Sequence, residues 1–186
     1  RLTKDTKPLI RADAIELLGE TQDRKYSPIF FAALDDRSYT VIDEAARALG
    51  KVKEPKAVEP LSKLAVTSSW RGRIAIAGLT GLAILADKRA FDLGLKLAND
   101  TTQLPSVRTA AAALVGAAGK GDARAFPLVF DRFKKAYESG NAGDLMVSLR
   151  GLITIADPRG QEAFDMLKAK YKNNPGAMAA IGQYEA

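Results

Sequence analysis

The 186-residue sequence predicts an all-α protein, an α–α superhelix of about five helical hairpins. Three observations carry that reading. First, ten-residue segments recur: Ile10–Gly19 (IRADAIELLG), Val41–Gly50 (VIDEAARALG), Gly72–Gly81 (GRIAIAGLTG) and Val107–Gly116 (VRTAAAALVG). Each closes on glycine and carries small or aliphatic residues at helical spacing. With Gly151, which follows Ser-Leu-Arg, the glycines step by 31, 31, 35 and 35 residues. A period between 20 and 50 residues marks repeat architectures. Second, a short turn after each glycine leads to an acidic residue with a basic one two positions later. The pairs are Asp23 and Lys25, Glu54 and Lys56, Asp87 and Arg89, Asp122 and Arg124, and Asp157 and Arg159. An acid at such a point accepts from the unpaired N–H groups of a starting helix and complements its positive dipole end. Third, no segment sustains the alternation of a strand.

The elements follow in order. A helix over 8–19 opens at Pro8, and one over 24–35 starts after Asp23. The segment 39–50 follows Ser38, a candidate cap, and 55–67 opens on Pro55 behind Glu54. A helix over 71–85 follows Ser69, and 88–99 follows Asp87. The segment 105–118 opens on Pro105, and 123–138 follows Asp122. The last three run over 143–155, 158–172 (opening on Pro158) and 176–184. Proline is tolerated in a first turn. Pro28, Pro60 and Pro127 fall one turn into the first helix of their units and are expected to bend it. One hairpin cannot bury its own apolar stripe, whereas stacked hairpins share a continuous core and touch only their neighbours. Residues 1–186 are therefore expected to form a single repeat domain. The array begins on a second helix without a polar cap, so the domain is expected to belong to a longer chain.

Composition removes much chemistry. The sequence has no cysteine and no histidine. Disulfides, thiolate and imidazole metal sites, His-based triads and the H-E-x-x-H zinc motif are all excluded. No cofactor is implied. No apolar run reaches the length that spans a bilayer, and no targeting segment is visible, so no compartment is assigned. The net charge of +6 is concentrated in residues 61–119, which hold seven basic side chains against three acidic ones. Lys88, Arg89 and Lys96, with Arg71 and Arg73, make up this excess. It reads as a solvated face or as an attraction for an acidic partner.

The pattern V-R-x-x-A-A-x-A-L-G, best seen at Val107–Gly116 and Val41–Gly50, resembles the HEAT repeat, close to its phycobilisome-lyase-like subgroup. So does the D-x-R-A start at Asp87–Ala90 and Asp122–Ala125. The resemblance runs along almost the whole chain and implies a helical-hairpin solenoid. It says little about activity, because such units occur in many unrelated proteins. Three longer phrases (DDRSYTVIDEAARALG, SSWRGRIAIAGL and AFDLGLKLANDTTQLPSVRTAAAALVGA) resemble the C-terminal helical domains of bacterial zinc aminopeptidases of the alanyl aminopeptidase class. In those enzymes the zinc lies in an upstream domain. The resemblance implies an accessory domain without catalytic or metal-binding residues, whose partner is a protein or peptide, or the upstream domain itself. An independent protein-binding scaffold is the alternative. Nucleic-acid binding is the disfavoured reading, because it needs several basic contacts on one face.

Six residues form the candidate binding set: Arg37, Tyr39, Trp70, Arg71, Arg73 and Arg108. Tyr39 and Trp70 share one repeat position, eleven residues before Gly50 and Gly81, each beside an arginine. Such aromatics either grip a peptide or pack as a hydrophobic staple between units. Arg11, Arg73 and Arg108 share the second position of the second helix, where Ile42 breaks the series. They form either a structural ladder with acids such as Asp36 and Asp100 or a basic ladder for an acidic ligand. The pairs Asp35–Asp36 and Asp43–Glu44 read as helix-end charges, not as a general acid and base.

Overall fold

The computed structural model describes residues 2–185, and no strand occurs among them. Eleven α-helices are described: α1 (Pro8–Glu20), α2 (Ser27–Ala33), α3 (Tyr39–Lys51), α4 (Val58–Ala65), α5 (Arg73–Leu85), α6 (Phe91–Asn99), α7 (Pro105–Ala118), α8 (Ala125–Ser139), α9 (Ala142–Ile155), α10 (Gln161–Tyr171) and α11 (Pro175–Glu185). They fall into two compact units, Arg1–Ala118 and Gly119–Ala186.

In the first unit, α1, α3, α5 and α7 lie side by side as one layer, and α2, α4 and α6 each pack on the helix that follows in sequence. One leading helix and three hairpins result. The first helices are short because the turn before them absorbs residues. Short 3-10 segments, Arg24–Tyr26, Pro55–Ala57, Lys88–Ala90 and, in the second unit, Pro158–Gly160, precede α2, α4, α6 and α10. The break also occurs before α6 and α10, which have no proline at the corresponding position, and not before α8, which carries Pro127, so proline does not set it. The carboxylates of Asp23, Glu54, Asp87, Asp122 and Asp157 accept from the backbone N–H two residues on at 2.9, 3.1, 2.9, 2.9 and 3.0 Å. The residue just before each acid is left-handed: Gln22, Lys53, Ala86, Gly121 and Ala156 have φ between 52° and 77°. Of these five only Gly121 takes that conformation without steric cost.

Small residues let the layer close. Gly50 and Gly81 stand where α3 meets α5, and a Cβ on Gly50 would lie 2.7 Å from the carbonyl oxygen of Gly81. Ile15, Phe30, Leu49, Leu61, Leu79, Leu82 and Leu114 are fully enclosed. Polar ties run between successive hairpins. Buried Ser27 donates its hydroxyl to Glu54 at 3.0 Å. Arg24 donates to the Val52 carbonyl at 3.0 Å, and the Lys53 ammonium to that of Ile84.

The second unit consists of the α8–α9 and α10–α11 hairpins. Its core is aromatic: Phe126, Phe130 and Phe133 stack along α8 at centroid separations of 5.1 and 6.1 Å. The longer period after Gly81 has two sources: the capping acid stands six residues after Gly81 and Gly116, against four after Gly19 and Gly50, and the first helices lengthen to nine residues in α6 and 15 in α8, against seven in α2 and eight in α4.

The caps carry a pH dependence. Arg124 and Arg159, with backbone N–H donors, hold the carboxyls of Asp122 and Asp157 down to about 2 from the ordinary 3.8. A carboxyl held lower in the folded than in the unfolded chain stabilises the fold above the unfolded value. That contribution disappears as pH falls through the folded one. Between pH 4 and pH 2 the wild type should therefore lose thermal stability faster than the Asp122→Asn, Asp157→Asn variant. Parallel melting curves over that range would contradict the assignment.

Candidate functional site

The candidate residues separate into three places. Trp70, Arg71 and Arg73 come together at the start of α5. Here the chain enters from Ser69 in an extended conformation (φ −159°, ψ 168°) and turns through two consecutive left-handed residues, Arg71 (φ 54°) and Gly72 (φ 69°). The Gly72 N–H donates to the Ser69 carbonyl at 3.1 Å. The Ser69 hydroxyl accepts from the Ile74 N–H at 2.9 Å and so caps α5, as its position before the second helix suggests. Gly72 is required twice. Its φ is left-handed, and a Cβ there would meet the Val107 side chain at 2.6 Å, because the turn lies against the start of α7.

This turn decides where Trp70 goes. Its ring is 63% exposed, so it does not serve as a packed staple. The Arg71 guanidinium lies over it, 5.2 Å from the ring centroid. Trp70, Arg71, Arg73, Ile76, Leu104, Pro105 and Ser106 line an open cavity of about 550 Å3. Leu104 adds a second exposed apolar side chain, 47% accessible. Its contribution from the α6–α7 connection was not visible in the sequence, because it stands 34 residues from Trp70 and outside the recurrent segments. Arg71 and Arg73 are exposed, and neither meets a carboxylate among the described residues. A left-handed non-glycine residue costs roughly 1–2 kcal/mol. Gln22, Lys53, Ala86 and Ala156 carry the same strain at the other turns; at Arg71 it sets an exposed cation beside an exposed indole.

Tyr39 occupies the equivalent repeat position but a different setting. It begins α3 as regular helix, and the Ser38 side chain makes no capping bond. Arg37 faces another cavity, of about 620 Å3, shared with Arg11 and Asp36. There Arg11 grips Asp36 through two bonds of 2.8 and 2.7 Å. This bidentate hydrogen bonding holds the Asp36 carboxyl below its usual value, and Arg11 and Asp36 form the structural pair expected of the arginine ladder.

Arg108 does not. Its Nε donates to the Ala98 carbonyl at 3.3 Å, near the C-terminal end of α6. Asp100 instead accepts from Thr102 and Gln103 within its own turn, at 2.6 Å from the Thr102 hydroxyl. Of the two acids considered for the arginine ladder, Asp36 is therefore paired and Asp100 is not. The local turn saturates the acid, and the arginine satisfies a helix-end carbonyl, a common role for a cation there. Among the described residues no three acidic side chains form a metal-ligand group, and no helix is long and apolar enough to cross a membrane.

Residues 1–80 match the family model of HEAT repeats, a span that runs from α1 into α5. No curated protein matches the chain.

Proposed function

We propose that this chain is a non-catalytic interaction domain built of HEAT-like hairpins, and that its first unit holds a protein partner at the Trp70–Arg71–Arg73 cavity. The observation that carries the reading is the exposed Trp70 ring, held out by a strained turn and flanked by Leu104 and two uncompensated guanidiniums. Tryptophan and arginine dominate the energetics of protein interfaces. HEAT repeats in residues 1–80 support the same class of role, since stacked hairpins present extended recognition surfaces.

A peptide-display library panned against the full chain tests this. Peptides should be enriched by the wild type and lost on Trp70→Ala, with affinities reduced at least about tenfold, as expected for an interface anchor. A selected pool indifferent to Trp70→Ala, Leu104→Ala and Arg73→Gln would refute the site.

A finer reading places residues 1–186 as one accessory domain of a bacterial zinc aminopeptidase, with the upstream catalytic domain as partner. The three phrases that resemble such domains support it. Two of them, SSWRGRIAIAGL and the phrase from Ala90 to Ala117, contribute residues to the cavity. Extending the reading frame upstream decides it. An H-E-x-x-H motif is expected, and its absence removes this reading while leaving the interaction domain.

A further inference from the structure

The interaction reading leaves the chemistry of the partner open, and the pairing of the arginines narrows it. Arg11, Arg47, Arg89, Arg124 and Arg159 each hold an aspartate of this chain, at 2.7 to 3.0 Å. Arg71 and Arg73 stand two residues apart on the rim of the Trp70 cavity and hold none. The nearest acid in the flanking cavity, Asp100, is committed to Thr102 and Gln103. The Arg71 guanidinium lies over the Trp70 ring, 5.2 Å from its centroid, and meets no carboxylate among the described residues, so its N–H groups are available to receive one. With these cations, the apolar side chains of Trp70, Ile76, Leu104 and Pro105 line the same cavity.

We infer that the cavity takes an acidic peptide segment, with a carboxylate on Arg71 and Arg73 and a neighbouring apolar side chain against Trp70 and Leu104.

This rests on the interaction reading and adds the sign of the partner's charge. A nucleic-acid strand would also be anionic and would also stack on tryptophan. The same helical layer argues against it. Next to α5, α3 carries Glu44, and the adjoining α1 carries Asp13 and Glu16; none of the three forms an ion pair among the described residues, since the nearby cations Arg47 and Lys51 are bonded to Asp43 and Glu20. Burial first, then Asp43 and Glu16 nearby, raise the Glu44 carboxyl above its usual value against the attraction of Arg47 and Lys51, so Glu44 and Glu16 lie close enough to repel. With neighbouring helices about 8–10 Å apart, this acidic stretch lies roughly 10–20 Å from Arg73. A phosphate chain that leaves the cavity over α3 and α1 would cross it, whereas a short peptide segment with one or two carboxylates would not.

Trp70 is the sole tryptophan of the sequence, so its fluorescence reports on this cavity alone. The experiment titrates the full chain with display-selected peptides, their Asp→Asn and Glu→Gln isosteres, and a twelve-residue oligothymidylate. The selected peptides should be enriched in Asp and Glu beside a large apolar residue. Their titration should shift Trp70 emission, with affinity falling about tenfold for the amide isosteres and for Arg73→Gln, and less for Arg73→Lys. Both arginines are exposed, so circular dichroism should show these variants fully folded. Peptides that need Trp70 but bind as well when amidated would overturn the acidic partner while leaving the interaction site standing. Tighter binding of the oligothymidylate than of any acidic peptide would overturn it in favour of nucleic acid. A pool that ignores Trp70 altogether would remove the site and the inference together.

Discussion

Replacing Gly81 with valine should be the most damaging single substitution in the first unit, costing about 3 kcal/mol or more. A Cβ at this position would lie 2.6 Å from the Ala46 carbonyl oxygen and 3.0 Å from its carbon. Both are backbone atoms of α3 and cannot swing aside as a flexible side chain would. Leu61 of α4 closes the other side at 3.1 Å. Gly78, one turn earlier, is held in the same way, with its notional Cβ 2.6 Å from the Leu61 carbonyl oxygen. Helix α5 is therefore clasped by two neighbours at once, and valine would push it from both. Gly182→Ala provides the control. A Cβ there meets nothing within 4 Å, and alanine favours a helix by about 1 kcal/mol over glycine. In urea titrations the valine variant should unfold far earlier than wild type, and the alanine variant no earlier. A Gly81→Val protein of wild-type midpoint would mean that α3 and α5 do not approach as described.

In the second unit the corresponding expectation is Phe133→Ala, at about 3–5 kcal/mol. The ring is fully buried and lies between Phe130 and Tyr137, with centroids 6.1 and 6.2 Å away. Tyr137 is itself fastened, since its hydroxyl donates to the Met166 carbonyl at 3.3 Å. The Lys170 ammonium stacks over its ring at 4.1 Å. A cavity at Phe133 cannot close without moving this anchored neighbour, which puts the cost near the upper part of the range. Phe133→Leu, which keeps most of the volume, should cost clearly less. Denaturant midpoints with unchanged m-values measure the difference.

Both predictions depend on features that the sequence shows to different degrees. The recurrent glycines and the acid-x-base turns revealed the hairpins, because close helix approach and helix capping each demand particular residue types. Hence all eleven helices lie within a few residues of their expected positions. The 3-10 openings and the left-handed Gln22, Lys53, Ala86 and Ala156 were not legible. These residues carry no special preference for φ > 0 and are forced there by the packing on either side. The site was half legible. An aromatic beside arginine at one repeat position singled out Tyr39 and Trp70 alike. Only the left-handed turn at Arg71–Gly72 separates the exposed tryptophan from a tyrosine seated in regular helix. Arg108 belongs to the same sequence series as Arg73, yet it reaches the Ala98 carbonyl, while Asp100 is held within its own turn.

On the proposed function, a partner binds at the start of α5 and the α6–α7 connection. Amide chemical-shift mapping of the isotope-labelled chain with its best display-selected peptide tests this most directly. The largest perturbations are expected at residues 69–76 and 104–106 and at the Trp70 indole N–H, and they should vanish in Arg73→Gln. Perturbations centred on α8 to α11, with the Trp70 indole unmoved, would contradict it.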